Sequence, residues 1–399
     1  MSGHMRRWLA LGLVVAVAAA GCTKERSRPF YLRGEVGAQG TGLAVALYQT
    51  VGVRMVPGNR IQWANNGTVF DAIVWEMARA RSSIHVVMFI WRPGKASELV
   101  LSVLTERARA GVKCRVLVDP FGSPNFEEEI KPRLEKAGCR AHLFRPIPTD
   151  ENLARNHRKL VIVDGRAAVT GGLAIQDEWL GNGLKEKQWR DTNAWVTGPV
   201  VEQMQQAFAE NWQESTGELL PASDFPTLAQ PSPGLQHAGE GWAAFVSSTA
   251  NPEVTRAERL TQLMVRAANK RLWIAQSYFM PNDSLAKQLM ERARAGVDVR
   301  VLAPGDFNDQ KIVTLVQRSE YDELLKAGVR IWEYQPSMMH AKTMLVDDRL
   351  VLVGSINYDP LSFRLLEEGS LVLEDDEAAR SMEAFFLEDL KHAREVRAK

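Results

Sequence analysis

The chain of 399 residues has only three cysteines, Cys22, Cys114 and Cys139. That excludes a disulfide-stapled scaffold, and no Cys/His or carboxylate cluster has ligand spacing, so neither a metal nor another cofactor is expected. Charge of one sign is missing too. Lys and Arg number 49 against 48 Asp and Glu, a formal net charge of +1, which gives bulk electrostatics no hold on nucleic acid. The N-terminal apolar run, LALGLVVAVAAAG, falls short of the ~20 residues a membrane span needs. What remains is ordinary: 45% hydrophobic and 24% charged residues, the composition of a soluble globular protein long enough for two domains.

That short run has a use of its own. Basic residues in MSGHMRRW precede it and AAGC ends it, which resembles the lipoprotein form of a bacterial export signal, apart from Ala19 where leucine is usual. The resemblance implies that residues 1–22 are removed up to a lipidated Cys22, which anchors the chain on a membrane surface. The expected location is the cell envelope, facing the periplasm, with the outer membrane weakly preferred. Such a compartment permits a Cys114–Cys139 disulfide. Both cysteines align with valines in the second copy of an internal repeat, which favours buried small apolar side chains instead.

The repeat is plain in the letters. ERARAGVKCRVLVDP from Glu106 returns as ERARAGVDVRVLAPG from Glu291, and RLEKAGCRAHLFRP from Arg133 as ELLKAGVRIWEYQP from Glu323. Helical periodicity alternates with short Val/Ile/Leu runs in each copy, so the fold class is α/β: two pseudo-symmetric lobes, each a mixed or parallel sheet flanked by helices. A tether over 23–58, a first lobe over 59–220, a Pro-rich linker over 221–241 and a second lobe over 242–399 are expected.

Each copy carries His-x-Lys-x4-Asp: NHRKLVIVDG with His157, Lys159 and Asp164, and HAKTMLVDDR with His340, Lys342 and Asp347. Asp164-Gly165 signals a two-residue hairpin. Folding there predicts His157 opposite Gly172 and Lys159 opposite Thr170, and in the second copy His340 opposite Ser355. A small residue facing each histidine would leave room for a phosphate. Both aspartates are also favoured turn formers, so a structural role competes with a catalytic one.

Two such motifs, each followed by GG or GS, resemble the phospholipase D superfamily. WRDT after the first and GSINYDPLSFRLLEE in the second resemble its bacterial cardiolipin synthase-like branch. The resemblance covers roughly residues 60 to 395 and implies two phospholipase D-like lobes with one active site at their interface. Histidine, with a pKa near neutrality, suits both a nucleophile and a proton donor, and two lysines suit the charge that builds on phosphoryl oxygens. The resemblance implies a covalent phosphohistidine, with His157 as nucleophile and His340 as general acid. It also implies Asp191 and Glu368 as the carboxylates that orient the imidazoles, Glu367 replacing Glu368 if the register slips by one, and Asn357, Gly172 and Ser355 as the phosphate pocket. Three positions depart from the family pattern. Ala174 stands where an asparagine is usual, Leu361 where an arginine is, and Leu366 where another asparagine is.

The resulting expectation is a monomeric, membrane-anchored phosphatidyltransferase or phospholipase D acting on phospholipid, with phosphatidylglycerol favoured. Its competitors are a phosphodiesterase or nuclease of the same superfamily, disfavoured by the neutral charge, and a lipid-binding protein with a weakened site.

Overall fold

The computed structural model describes residues 29–34, 36–37, 39–146, 153–229, 238–251 and 253–398. Cys22, the expected export signal and residues 230–237 of the expected linker lie outside the described residues. No helix among the described residues is long and apolar enough to cross a membrane.

The first lobe contributes strands β1 (Val56–Asn65), β2 (Ser83–Met88), β3 (Lys113–Val118), β4 (Arg140–Leu143), β5 (Arg155–Asn156), β6 (Leu160–Val163), β7 (Ala167–Gly171) and β8 (Thr192–Thr197). The second contributes β9 (Gly241–Ser248), β10 (Arg271–Gln276), β11 (Asp298–Pro304), β12 (Arg330–Tyr334), β13 (Lys342–Val346), β14 (Leu350–Gly354), β15 (Leu366–Glu374) and β16 (Ala393–Val396). Strands β2, β3 and β4 are parallel, as are β10, β11 and β12. The motif hairpins join them antiparallel. Every residue of β2, β6, β13 and β14 is buried, which is why these strands read as unbroken apolar runs and not as alternation.

The two sheets are one. The order β16-β12-β11-β10-β13-β14-β15-β9-β1-β8-β7-β6-β2-β3-β4 passes from lobe to lobe through the β9–β1 pair. Helices Val200–Thr216 and Asp376–Leu390 occupy corresponding places after β8 and β15, and both feed one apolar core shared by the lobes, with Phe208, Trp212, Phe245 and Phe386 among its members. This shared core and the continuous sheet hold the two motifs in a fixed relation.

Two expectations are corrected by the structure. Observed pairs are Leu160↔Thr170 and Val163↔Ala167 in the first hairpin, and Val346↔Leu350 in the second. Each register is one residue away from that predicted for a two-residue turn, because the loops hold three residues, 164–166 and 347–349. Asp164 and Gly165 adopt left-handed φ values of 53° and 61°, Arg166 N–H donates back to Val163 at 3.0 Å, and Arg166 is the extra residue. The linker is also less irregular than its prolines suggest. Ala222–Asp224 forms a helical turn whose buried Asp224 carboxylate accepts from Arg115 at 3.0 Å.

Residues 40–51, within the expected tether, form a helix whose Leu43, Leu47 and Val51 lie in the second-lobe core with Leu260 and Met264. Cys114 and Cys139 are free thiols buried in the first-lobe core.

Candidate active site

The segments that lead into the motifs cross between lobes. Arg155 and Asn156 of β5 pair in parallel with Leu366 and Glu367 of β15, and the His157 N–H donates to the Glu367 carbonyl at 2.8 Å. The second lobe reciprocates. Arg190 bridges to Met339 in parallel, and the His340 N–H donates to the Arg190 carbonyl at 2.7 Å. Each histidine is therefore pinned by its backbone to the residue just before the other lobe's carboxylate.

Crossed side-chain pairs result from that register. His157 Nδ1 lies 3.0 Å from both carboxylate oxygens of Glu368, and His340 Nδ1 lies 3.4 Å from Oδ2 of Asp191. Glu368, not Glu367, faces the ring. Glu367 turns away to Arg145 at 2.8 Å and to Asn211 Nδ2 at 2.6 Å. Its counterpart Arg190 donates to Asp389 at 2.7 Å, so both crossings are tied by ion pairs between lobes. Asp119, buried at the end of β3, accepts from the Asn156 N–H at 2.9 Å and steadies the approach to His157.

The carboxylates are themselves held. Glu368 accepts from Ser362 Oγ at 2.6 Å and from Ser355 Oγ. Asp191 accepts from Trp179 Nε1 at 2.7 Å and from the Thr192 N–H at 2.8 Å. These contacts correct the role expected of the small-residue pairs. A Cβ on Gly172 would come within 2.5 Å of Asp191 Oδ1, and the Ser355 hydroxyl is spent on Glu368. The space beside each is taken up by a carboxylate of its own lobe. Asn357 keeps a place beside the site: its Oδ1 accepts from Ser277 Oγ at 2.7 Å, which leaves its Nδ2 as the donor end.

Asp164 and Asp347 sit elsewhere, at the far ends of β6 and β13, roughly 20 Å along the strands from the histidines. Asp164 accepts from the backbone N–H groups of Arg81, Ser82 and Ser83. Asp347 accepts from those of Asn269, Lys270 and Arg271. These carboxylates bind orphan amides at the turns that precede β2 and β10, and the catalytic reading of both is corrected accordingly.

All four motif His and Lys side chains are buried. His157 stands edge-on to Phe89 at 5.0 Å between ring centroids, and His340 packs against the touching pair Trp179, at 4.9 Å, and Trp189, at 5.1 Å. Lys159 Nζ donates to the His157 carbonyl at 2.6 Å and Lys342 Nζ to the His340 carbonyl at 2.6 Å; Lys342 Nζ also lies 3.0 Å from both ring nitrogens of His340. Burial is the main cause that lowers the His157 pKa to about 4, with Lys159 and Lys342 acting against Glu368. Burial and then Lys342 lower His340 to about 3. Burial brings Lys342 down to about 8 and Lys159 well below its ordinary value. Four basic groups are buried together, and the two lysines and their own burial both disfavour charge on the imidazoles. An anion entering there would reverse part of each shift.

The departures from the family pattern are visible as well. Ala174 is buried in the first-lobe core, and Leu361 and Leu366 are half-buried, so none supplies a polar group. Among the described residues no group of three or more His, Cys, Asp or Glu could hold a metal ion. The sequence reading missed Trp179, Trp189, Phe89, Asp119 and Ser362. Ser362 and Trp189 had a signal, their places in DPLS and WRDT.

A duplicated sheet with one His-Lys pair from each lobe, meeting across crossed carboxylates, defines a two-lobed phospholipase D-like protein. Residues 73–212 and 261–390 match the family model described as "Cardiolipin synthase, PLD-like domain", and the chain belongs to that family. It is 34% identical over 334 residues to a cardiolipin synthase of a Geobacillus species, covering 82% of this chain and 65% of that protein. It is 34% identical over 345 residues to cardiolipin synthase A of Pseudomonas putida, covering 85% and 70%. The chain thus spans about two thirds of these relatives' length. Among solved structures it resembles phosphatidylserine synthase of Haemophilus influenzae, with a TM-score of 0.68, 14% identity and coverage of 89% and 92%. It also resembles polyphosphate kinase of Porphyromonas gingivalis, with a TM-score of 0.56, 11% identity and coverage of 94% and 52%. At these identities the two likenesses concern the fold.

Proposed function

We propose that the chain is a phosphatidyltransferase of the cardiolipin synthase type, acting on phospholipid phosphodiesters through a phosphohistidine, with phosphatidylglycerol as the favoured substrate. The observation that carries this is the pair of crossed His–carboxylate contacts. With each Nδ1 turned to a carboxylate, each Nε2 is the end left for chemistry.

His157 Nε2 attacks phosphorus, an N–P bond forms, and the P–O bond to the leaving alcohol breaks as the Nε2 proton of His340 passes to that oxygen. The Glu368 carboxylate offsets the positive charge that develops on His157. Lys159 and Lys342 offset the added negative charge on the non-bridging oxygens. In the second half an acceptor hydroxyl gives its proton to His340 as its oxygen bonds phosphorus and the N–P bond breaks. A lipid headgroup as acceptor gives transfer, and water gives hydrolysis. Before the first step His340 must take up a proton, and the anionic substrate raises its pKa for that purpose.

The export signal adds that the working chain is lipidated at Cys22 and faces the periplasm from a membrane surface. The test of function is purified protein with phosphatidylglycerol: cardiolipin marks transfer and phosphatidic acid marks hydrolysis. Untouched lipid beside cleaved plasmid DNA would end the lipid reading.

A further inference from the structure

The duplicated halves differ in the segments that follow β3 and β11. In the first lobe, β3 leads to a turn of helix, Phe126–Ile130, whose Glu127, Glu128 and Glu129 face water while Phe126 and Ile130 are buried. In the second lobe, β11 leads to a longer excursion and the helix Lys311–Ser319. Here the polar Thr314 and Gln317 are buried with Val313, whereas Ile312 is 55% exposed, Leu315 71%, Val316 42% and the preceding Phe307 39%. Where one lobe shows three acids, the other shows four large apolar side chains. That is the reverse of what a solvated helix does.

The register says where this face lies. Strand β10 runs parallel to β11, with Ala275 beside Leu302, and antiparallel to β13, with Gln276 beside Lys342. The C-terminal end of β11 therefore emerges at the Lys342 end of the sheet, and the excursion starts at the mouth of the site. The Tyr278 hydroxyl, two residues past β10, donates to Asp309 at 2.8 Å and ties the excursion to that rim. The Asp309 charge acts on Lys342.

We infer that the face made by Phe307, Ile312, Leu315 and Val316 docks on the surface of a phospholipid bilayer and brings the site mouth against it. The inference rests on the phosphatidyltransferase reading. A two-turn helix with aliphatic side chains on its outer face, preceded by one exposed aromatic, suits burial in the plane of the headgroup boundary. Its place beside the catalytic lysine means that docking there shortens the path of a headgroup from bilayer to phosphorus site. A peptide or a second copy of the chain would cover the rim and obstruct that path.

The test uses the full chain, the variant Ile312→Asp/Leu315→Asp, and Leu228→Asp as a control at an exposed leucine of the linker. Each is given long-chain phosphatidylglycerol in vesicles and, separately, dihexanoyl phosphatidylglycerol as dispersed monomers. The expected result is a loss of about tenfold or more on vesicles for the double variant, with monomer turnover, the thermal midpoint and the control unchanged. Unchanged vesicle turnover, or an equal loss on both substrates, overturns the docking surface. If the unaltered protein turns over neither substrate, the lipid reading fails, and amide exchange of residues 305–319 then decides docking. Protection by vesicles upholds the surface. Protection that grows with protein concentration alone, or none at all, overturns it.

Discussion

His157 and Glu368 stand 211 positions apart and in different lobes, yet Nδ1 of the one is 3.0 Å from both oxygens of the other. The contact exists because β5 pairs with the N-terminal end of β15, with Glu367 level with Asn156. Glu368→Gln keeps the shape and removes the charge that steadies the cationic ring. Turnover should fall on the order of 10⁴-fold, as for comparable carboxylate-to-amide changes behind a catalytic histidine, with the fold intact by circular dichroism. Ser362→Ala, which removes one of the hydroxyls that hold Glu368, should cost about tenfold.

Gly172 and Asp191 give a steric prediction. Any Cβ at 172 meets the Asp191 carboxylate, so Gly172→Ala should push Asp191 off His340 and destabilise the chain by about 1–3 kcal/mol through overpacking. Ser355→Gly removes a donor without adding a clash and should lower activity with a smaller change in denaturant midpoint. Equal stability losses for the two would contradict this assignment of the small residues.

The turn aspartates should behave as structural groups. Asp164→Ala leaves three backbone N–H groups without their acceptor and should cost about 1–3 kcal/mol in urea unfolding, with turnover per folded molecule nearly unchanged. Burial raises the Asp164 pKa, but the amides of Ser83, Ser82 and Arg81 outweigh it and hold the carboxyl below its ordinary value. A carboxyl lowered on folding stabilises the chain at pH above its unfolded pKa of ~4, and that contribution is lost as pH falls through the folded value. Asp164→Ala should therefore flatten the acid limb of the stability–pH curve.

The imidazoles make a pH prediction with a clear sign. Folding lowers His157 to about 4 and His340 to about 3. Their contribution to stability is complete above the unfolded pKa of ~6.5 and is lost as pH falls toward those values. A bound phosphodiester works in the opposite direction, since its charge favours the imidazolium. Calorimetric titration with a non-cleavable phosphodiester at pH 6.5, in buffers of different ionisation heat, should show uptake of about one proton. No uptake would mean that neither histidine is charged by binding.

The lobes and the four basic residues are legible in the sequence because both depend on local pattern and repeat. ERARAGV returns with its strand, and His-x-Lys returns with its hairpin. Register across the hairpins is not legible, because the extra loop residue, Arg166, leaves no mark beyond an unremarkable Asp-Gly-Arg. The partner of each histidine is beyond reach for a different reason. Asp191 and Glu368 can be picked out in WRDT and RLLEE, but that each serves the other lobe's imidazole is set by β5 on β15 and Arg190 on Met339, contacts between distant segments. The places of Gly172 and Ser355 are hidden for the same reason, since the pocket they open belongs to a carboxylate that only the tertiary fold delivers.

The central claim is one phosphorus atom passed through His157 with His340 as its proton partner. It is tested most directly by quenching the protein in alkali during turnover of phosphatidylglycerol labelled with radiophosphorus. The account predicts an alkali-stable, acid-labile label on the peptide that contains His157. His157→Ala should abolish it, and the peptide that contains His340 should carry no label. A label on His340 alone, or full turnover with no labelled protein at any time, would contradict it.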